Sequence, residues 1–311
     1  MPAFNVKRSI RIAADQDKVR SVIADFNQWP AWSPWLRMEP GAAVNVRGTQ
    51  NQLGHGYNWD GQLVGAGDME LSALSDTRLV MDLKFLKPFK SHANVAMQTH
   101  EAGPEQTDLS WEMDSSMPFF LFFMVPMMES MIGMDYERGL RMLKEYVETG
   151  NVLSTVRVDG VVDLPATRYV GVSDECAMQD IGQSMQNTMP AAGQLVQANN
   201  LEVAGPPGAL YNEVNIRKQN CRYIAFMPVT TALSIDSGVS GEIAAGKAFK
   251  VVHTGRYEHL GNAWSTAMAH IKDKKLKERK GVAGIEWYIN DPQETPPGEL
   301  VTEVYVPLRG I

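Results

Sequence analysis

The sequence predicts an α+β protein of two domains, residues 1–150 and 155–311, each built on antiparallel strands. Three observations carry this expectation. At 311 residues the chain has the length of about two domains. Its first half sets glycine-punctuated alternating runs between an opening strand and a long closing helix, the pattern of a curved antiparallel sheet around a C-terminal helix. Its second half repeats a strand-helix-strand-strand unit at a spacing of about 80 residues.

In the first half, Phe4, Val6, Ile10 and Ile12 alternate with polar residues, so residues 4–12 form a half-buried strand. Asp15 caps a helix whose apolar stripe is Val19, Val22, Ile23 and Phe26. Trp29, Trp32 and Trp35, with Pro30 and Pro34, make a short helix or tight turn in the core. From Val44 to Met113, glycines and prolines punctuate short strands. His92 and His100 share one strand face roughly 26 Å apart, too far to share a metal. The stretch from Met117 to Met128 is too short to span a bilayer and is expected to be a buried cover over the core. A helix from about Pro126 to Glu148 then buries Met128, Ile132, Tyr136, Leu140, Leu143 and Val147, and Gly150 stops it.

Composition narrows the function. The net charge of −7, with the best basic run (Lys272 to Lys280) broken by Asp273 and Glu278, argues against direct nucleic-acid binding. Cys176 and Cys221 lack metal-site spacing. His253, Glu258 and His259 could suggest a metal, but no third ligand has suitable spacing, so neither metal nor cofactor is expected. Gly65-Ala-Gly67 lacks the third glycine of a dinucleotide loop. Met1 leads directly into a strand pattern, so a cytoplasmic location without a membrane span is expected.

In the second half, strands at Ala166–Ser173 and Ala248–Thr254 each precede a helix, marked by Met178-Ile181-Met185-Met189 and Leu260-Trp264-Met268-Ile271. Each copy continues with a glycine-led aromatic strand, Gly208–Asn212 and Gly284–Tyr288, and ends on a strand closed by proline, Cys221–Pro228 and Leu300–Pro307. Asn290-Asp-Pro breaks the last hairpin. Val304, Val306 and Leu308 share one face of the final strand, and Glu303 and Tyr305 share the other. Paired halves of this kind place their sheets around a common cleft, which makes inward strand residues the site candidates. Trp264 lies on the apolar stripe of its helix and reads as core.

Two family resemblances rest on these residues. "IRIAADQDKVRSVIADFNQWPAWSPW", "YNWDGQLVGAG", "LSWEM" and "MIGMDYERGLRMLKEYVE" resemble SRPBCC proteins, the START-like, polyketide-cyclase-type helix-grip domains. "HTGRYEHLGNAW", "GIEWYINDP" and "PPGELVTEVYVPL" resemble the GyrI-like small-molecule-binding domain, also the effector domain of AraC- and MerR-type regulators. That family usually has proline between the glycine and tyrosine of the first stretch, where this chain has Arg256. The resemblance implies a glutamate in the last strand at the floor of an aromatic cleft, which by position is Glu303. Tyr211, Tyr257, Trp287, Tyr288 and Tyr305 are the expected walls.

Three functions stay open at this point. The first is a non-enzymatic module that captures amphipathic or cationic drug-like molecules, with a second apolar pocket in the N-terminal domain. The second, implied by the GyrI-like resemblance, is a hydrolase of reactive cyclopropane-type compounds using Glu303 with Tyr305. The third is a lipid or polyketide carrier, or a cyclase, acting through the N-terminal half. A homodimer is compatible with each.

Overall fold

The computed structural model of the protein describes residues 3–231, 235 and 237–310. The chain divides into two compact units, Met1–Val152 and Leu153–Ile311.

The first unit opens with β1 (Ala3–Ile12) and three short helices, α1 (Gln16–Ile23), α2 (Trp29–Trp32) and α3 (Pro34–Met38). The Asp15 carboxylate accepts from the Lys18 amide at 2.7 Å and so caps α1. Six strands follow: β2 (Ala43–Arg47), β3 (Gly56–Asp60), β4 (Ala66–Leu74), β5 (Arg78–Lys87), β6 (Ser91–Gly103) and β7 (Gln106–Ser116). All pairings are antiparallel, in the order β1-β7-β6-β5-β4-β3-β2. The closing helix α4 (Val125–Thr149) packs along β1 and ends on Gly150, whose φ of 81° is the left-handed cap that glycine adopts without a Cβ penalty.

Between sheet and helix lies a ring-filled core. Trp29, Trp32, Trp111 and Tyr136 are fully buried, and Trp111 stacks on Tyr136 with ring centroids 4.2 Å apart. Burying each such ring contributes about 1.5–3 kcal/mol. Trp29 also donates to the Ile23 carbonyl at 3.0 Å, which satisfies its polar tip.

One expectation for this unit is corrected. Residues 117–128 do not form a buried cover. A 3₁₀ turn, Phe119–Met124, leaves Phe119, Phe120, Phe122 and Phe123 exposed by 77%, 72%, 58% and 63%. The cause is position: β7 ends at Ser116, and the buried residues of α4 begin only at Gly133, so the turn lies off the end of the sheet. Taken together, Phe119–Thr149 is long and apolar enough to cross a membrane. Its second half nonetheless belongs to the core through Tyr136, Leu140, Leu143 and Val147.

The second unit carries the repeat. Its first copy comprises β8 (Ser154–Leu164), β9 (Thr167–Ala177), α5 (Ile181–Ala198), β10 (Gly208–Asn215) and β11 (Asn220–Pro228). The second comprises β12 (Val239–Ile243), β13 (Gly246–Gly255), α6 (Gly261–Asp273), β14 (Gly284–Tyr288) and β15 (Val301–Pro307). These strands form one antiparallel sheet ordered β12-β9-β11-β10-β14-β15-β13-β8, symmetric about the β10–β14 seam. Helix α6 packs on Phe249, Val251, Val304 and Val306. Met185 and Met189 of α5 pack against the cluster of Ala209, Tyr211 and Tyr223. Leu210, Ile224, Phe226, Ile285 and Trp287 point to the other face.

The sheet register corrects the match between copies. Tyr223 and Thr302 each stand five residues before a strand-ending proline, Pro228 and Pro307. Tyr223 pairs with Tyr211, and Thr302 pairs with Tyr288. The structural counterpart of Tyr211 is therefore Tyr288, one residue beyond the match the leading glycines suggest. In a strand that single step moves a side chain to the opposite face.

Candidate functional site: a buried glutamate on the repeat axis

Strand β14 occupies the seam of the second sheet, where period-two alternation splits its five residues. Gly284, Glu286 and Tyr288 face the helices, and Ile285 and Trp287 face away. Glu286 pairs with Ala209 of β10, and Tyr211 lies two residues further along on the same face. The symmetry thus brings the two equivalent tyrosines to either side of one carboxyl group.

Glu286 is 3% exposed. Its Oε2 accepts from the Tyr288 hydroxyl at 2.6 Å and from the Tyr211 hydroxyl at 3.1 Å, while Oε1 accepts from Trp264 Nε1 at 2.6 Å. Trp264 reaches the strand because Gly284 leaves room: a Cβ there would collide with the indole. All three of these donors are neutral. Burial pushes the Glu286 carboxyl above its ordinary value of 4.5, and the three hydrogen bonds oppose that rise. Burial, reinforced by the neighbouring carboxyl, holds Tyr211 and Tyr288 well above 10, so both phenols remain donors.

Tyr257 stands at the rim, in a 3₁₀ turn (Tyr257–His259) before α6. Its ring meets Tyr288 edge-on at 5.7 Å and is partly open to solvent. Arg256, which begins that turn, has φ −62° and ψ 140°. This is the φ that proline would impose, so arginine reproduces the turn without the ring.

The residues expected around Glu303 are divided between two faces. Tyr211, Tyr257 and Tyr288 gather around Glu286. Glu303, Tyr305 and Trp287 lie opposite, since Trp287 pairs with Glu303 and Ile285 with Tyr305. Glu303 is half-buried and already has a cation: Lys250 Nζ lies 2.7 Å from its Oε1, and Tyr305 donates to its Oε2 at 2.9 Å. Lys250 also lies 5.3 Å from the Tyr305 ring centre and 3.5 Å from Asp159. Burial lowers the Lys250 pKa, and the bonds to Glu303 and Tyr305 outweigh it, so the ammonium stays charged. Trp287 packs edge-on against Phe226 with centroids 5.0 Å apart.

Sequence reasoning missed Glu286 and took Trp264 for core alone. The available signal was a single carboxylate in the otherwise apolar stretch Gly-Ile-Glu-Trp-Tyr, on the same parity as Tyr288. His253 is fully buried, 2.9 Å from the Ser154 hydroxyl. Among the described residues no group of three or more His, Cys, Asp or Glu is arranged to hold a metal ion.

Comparison with known families matches each half of the chain. Residues 161–309 match the GyrI-like small molecule binding domain, and residues 3–148 match the polyketide cyclase / dehydrase and lipid transport family. The chain joins a polyketide-cyclase-type (SRPBCC) domain to a GyrI-like domain. Among solved structures, EcmrR in its complex with DNA is 17% identical, covering 60% of this chain and 66% of that one, at a TM-score of 0.44. The EcmrR C-terminal domain is 19% identical over 51% of this chain and 100% of its own, at 0.43. The ZhuI aromatase/cyclase from Streptomyces sp. R1128 is 13% identical over 47% and 94%, at 0.39. A comparison with curated proteins gave no match.

Proposed function

We propose that the GyrI-like domain captures flat, amphipathic organic cations at Glu286. The supporting observation is a fully buried carboxyl whose three hydrogen-bond donors, Tyr211, Trp264 and Tyr288, are all neutral. Leaving such a group without a cation costs free energy, which a bound cation offsets by matching the charge where water is excluded. The rings of Tyr211, Trp264, Tyr288 and Tyr257 then supply apolar area and quadrupole attraction, about 0.5–2 kcal/mol for each ring the cation faces. Access runs past Tyr257: when its ring leaves Tyr288, the carboxyl and its two tyrosines open to a ligand. Glu303 is a weaker anchor, because Lys250 already neutralises it.

N-methylacridinium and acridine have nearly the same shape and differ by one charge at pH 7.5, so a fluorescence titration of both tests this reading. Preference for the cation by about tenfold or more supports it. Equal affinities, or no binding of either, would remove it. A hydrolase would use the same carboxyl as a general acid or base. Turnover of strained electrophiles that disappears in Glu286→Gln would move the assignment to that reading.

A further inference from the structure

We propose that the phenylalanine-rich end of the polyketide-cyclase-type domain docks on a lipid bilayer carrying anionic headgroups. Two segments build this surface. One is the turn Phe119–Met124 with the first turns of α4, where Met127 and Met131 are 47% and 45% exposed beside the four open phenylalanines. The other is the β5–β6 hairpin tip, where Leu86 and Phe89 are 51% and 82% exposed. Register places both at one end of the sheet: Phe85 pairs with Ser91, Ala93 with Ser115, and Ala3 with Ser116. Scattered apolar side chains on a surface need no explanation, but six aromatic and aliphatic side chains on two adjoining turns do.

Charge selects the occupant. Residues 83–92 and 115–128 contain no Asp or Glu and carry Lys84, Lys87 and Lys90, while Glu129 follows between Met127 and Met131. The rest of the domain is acid-rich, so this basic tip stands against the overall sign. Asp60 pairs with Lys87 at 2.9 Å, but both side chains are 61% exposed, so lipid phosphates or carboxylates can exchange into that contact. Lys84 lies 3.3 Å from Asp82. Phenylalanines at the centre with lysines beside them match an interfacial segment, whose rings enter the acyl boundary while its cations meet the headgroups. A second copy of the chain fits less well, because a two-fold contact through this end would bring lysine tips together. The segment docks without spanning, since the second half of α4 is packed into its own domain.

Co-sedimentation of the full chain with sucrose-loaded vesicles tests the proposal. One vesicle set is pure phosphatidylcholine, and the other contains about 30% phosphatidylserine. The expected result is binding to the anionic set. Phe119→Ser/Phe120→Ser/Phe122→Ser/Phe123→Ser should reduce it at least about tenfold, and Lys84→Ala/Lys87→Ala/Lys90→Ala should reduce it about fivefold per lysine that contacts the surface. Because all these side chains are exposed, circular dichroism of both variants should match the parent. Three outcomes overturn the proposal: no binding to either vesicle set, undiminished binding by the serine variant, or a concentration-dependent dimer in sedimentation velocity that the serine variant splits. The last would assign the patch to a second copy.

Discussion

Tyr211 and Tyr288 are structural counterparts, one from each repeat, and both donate to the same oxygen of Glu286. Duplication supplies two phenols, and only one copy supplies the acid: Glu286 pairs across the seam with Ala209, the small residue that makes space beside it. The pair of tyrosines is thus a product of symmetry, and the carboxyl between them breaks that symmetry.

The first prediction concerns pH. The folded pKa of Glu286 lies above its unfolded value, so the folded state binds the extra proton. Its contribution to stability is fully present below about pH 4.5 and is lost as pH rises through the folded pKa. Glu286→Gln should therefore gain melting temperature relative to the parent as pH rises from 4 to 8. Cation capture runs the other way, strengthening as Glu286 ionises and weakening as pH falls through its raised pKa. Thermal melts and binding titrations across that range check both signs. Parallel pH curves for parent and variant would contradict them.

How much of this could be read from the sequence depends on the kind of signal. Alternation and helical stripes depend on local spacing alone, so β1, α4 and the duplicated unit were legible with limits close to those observed, while α1 starts as expected and ends at Ile23, short of Phe26. The site was less legible. Choosing between Glu303 and Glu286 requires knowing which sheet face carries the helices, and the two lie on opposite faces of paired strands. Glycine-led matching of the copies was one residue out, which set Tyr211 against Trp287 and concealed the symmetric pair of tyrosines. The phenylalanine turn was misread for another reason. Its apolar composition implies burial only where an element lies above it, and the sequence does not show where the sheet ends.

Gly284→Ala provides a second prediction. The added methyl group meets the Trp264 indole, which must withdraw from Glu286 and leave one carboxyl oxygen without its donor. Overpacking together with a lost hydrogen bond should cost about 2–4 kcal/mol of stability. Trp264 fluorescence should shift as well, since the ring leaves the carboxylate. Urea melts and emission spectra measure both effects, and an unshifted spectrum at parent stability would contradict the packing described.

Tyr257→Ala tests the route of access. Removing the rim ring uncovers Tyr288, so the association rate for N-methylacridinium should rise several-fold while affinity falls by up to about 1 kcal/mol through the lost ring contact. Stopped-flow fluorescence separates the two. An unchanged or slower association rate would place the entrance elsewhere.

The central claim is that Glu286, and not Glu303, carries the charge that a cation seeks. The most direct measurement is the ratio of N-methylacridinium to acridine affinity in Glu286→Gln and Glu303→Gln, side by side with the parent. The expected result is a ratio reduced about tenfold or more in Glu286→Gln and unchanged in Glu303→Gln, which loses the Lys250–Glu303 ion pair and keeps Asp159 3.5 Å from the ammonium. A ratio that collapses in Glu303→Gln and survives in Glu286→Gln would contradict the account.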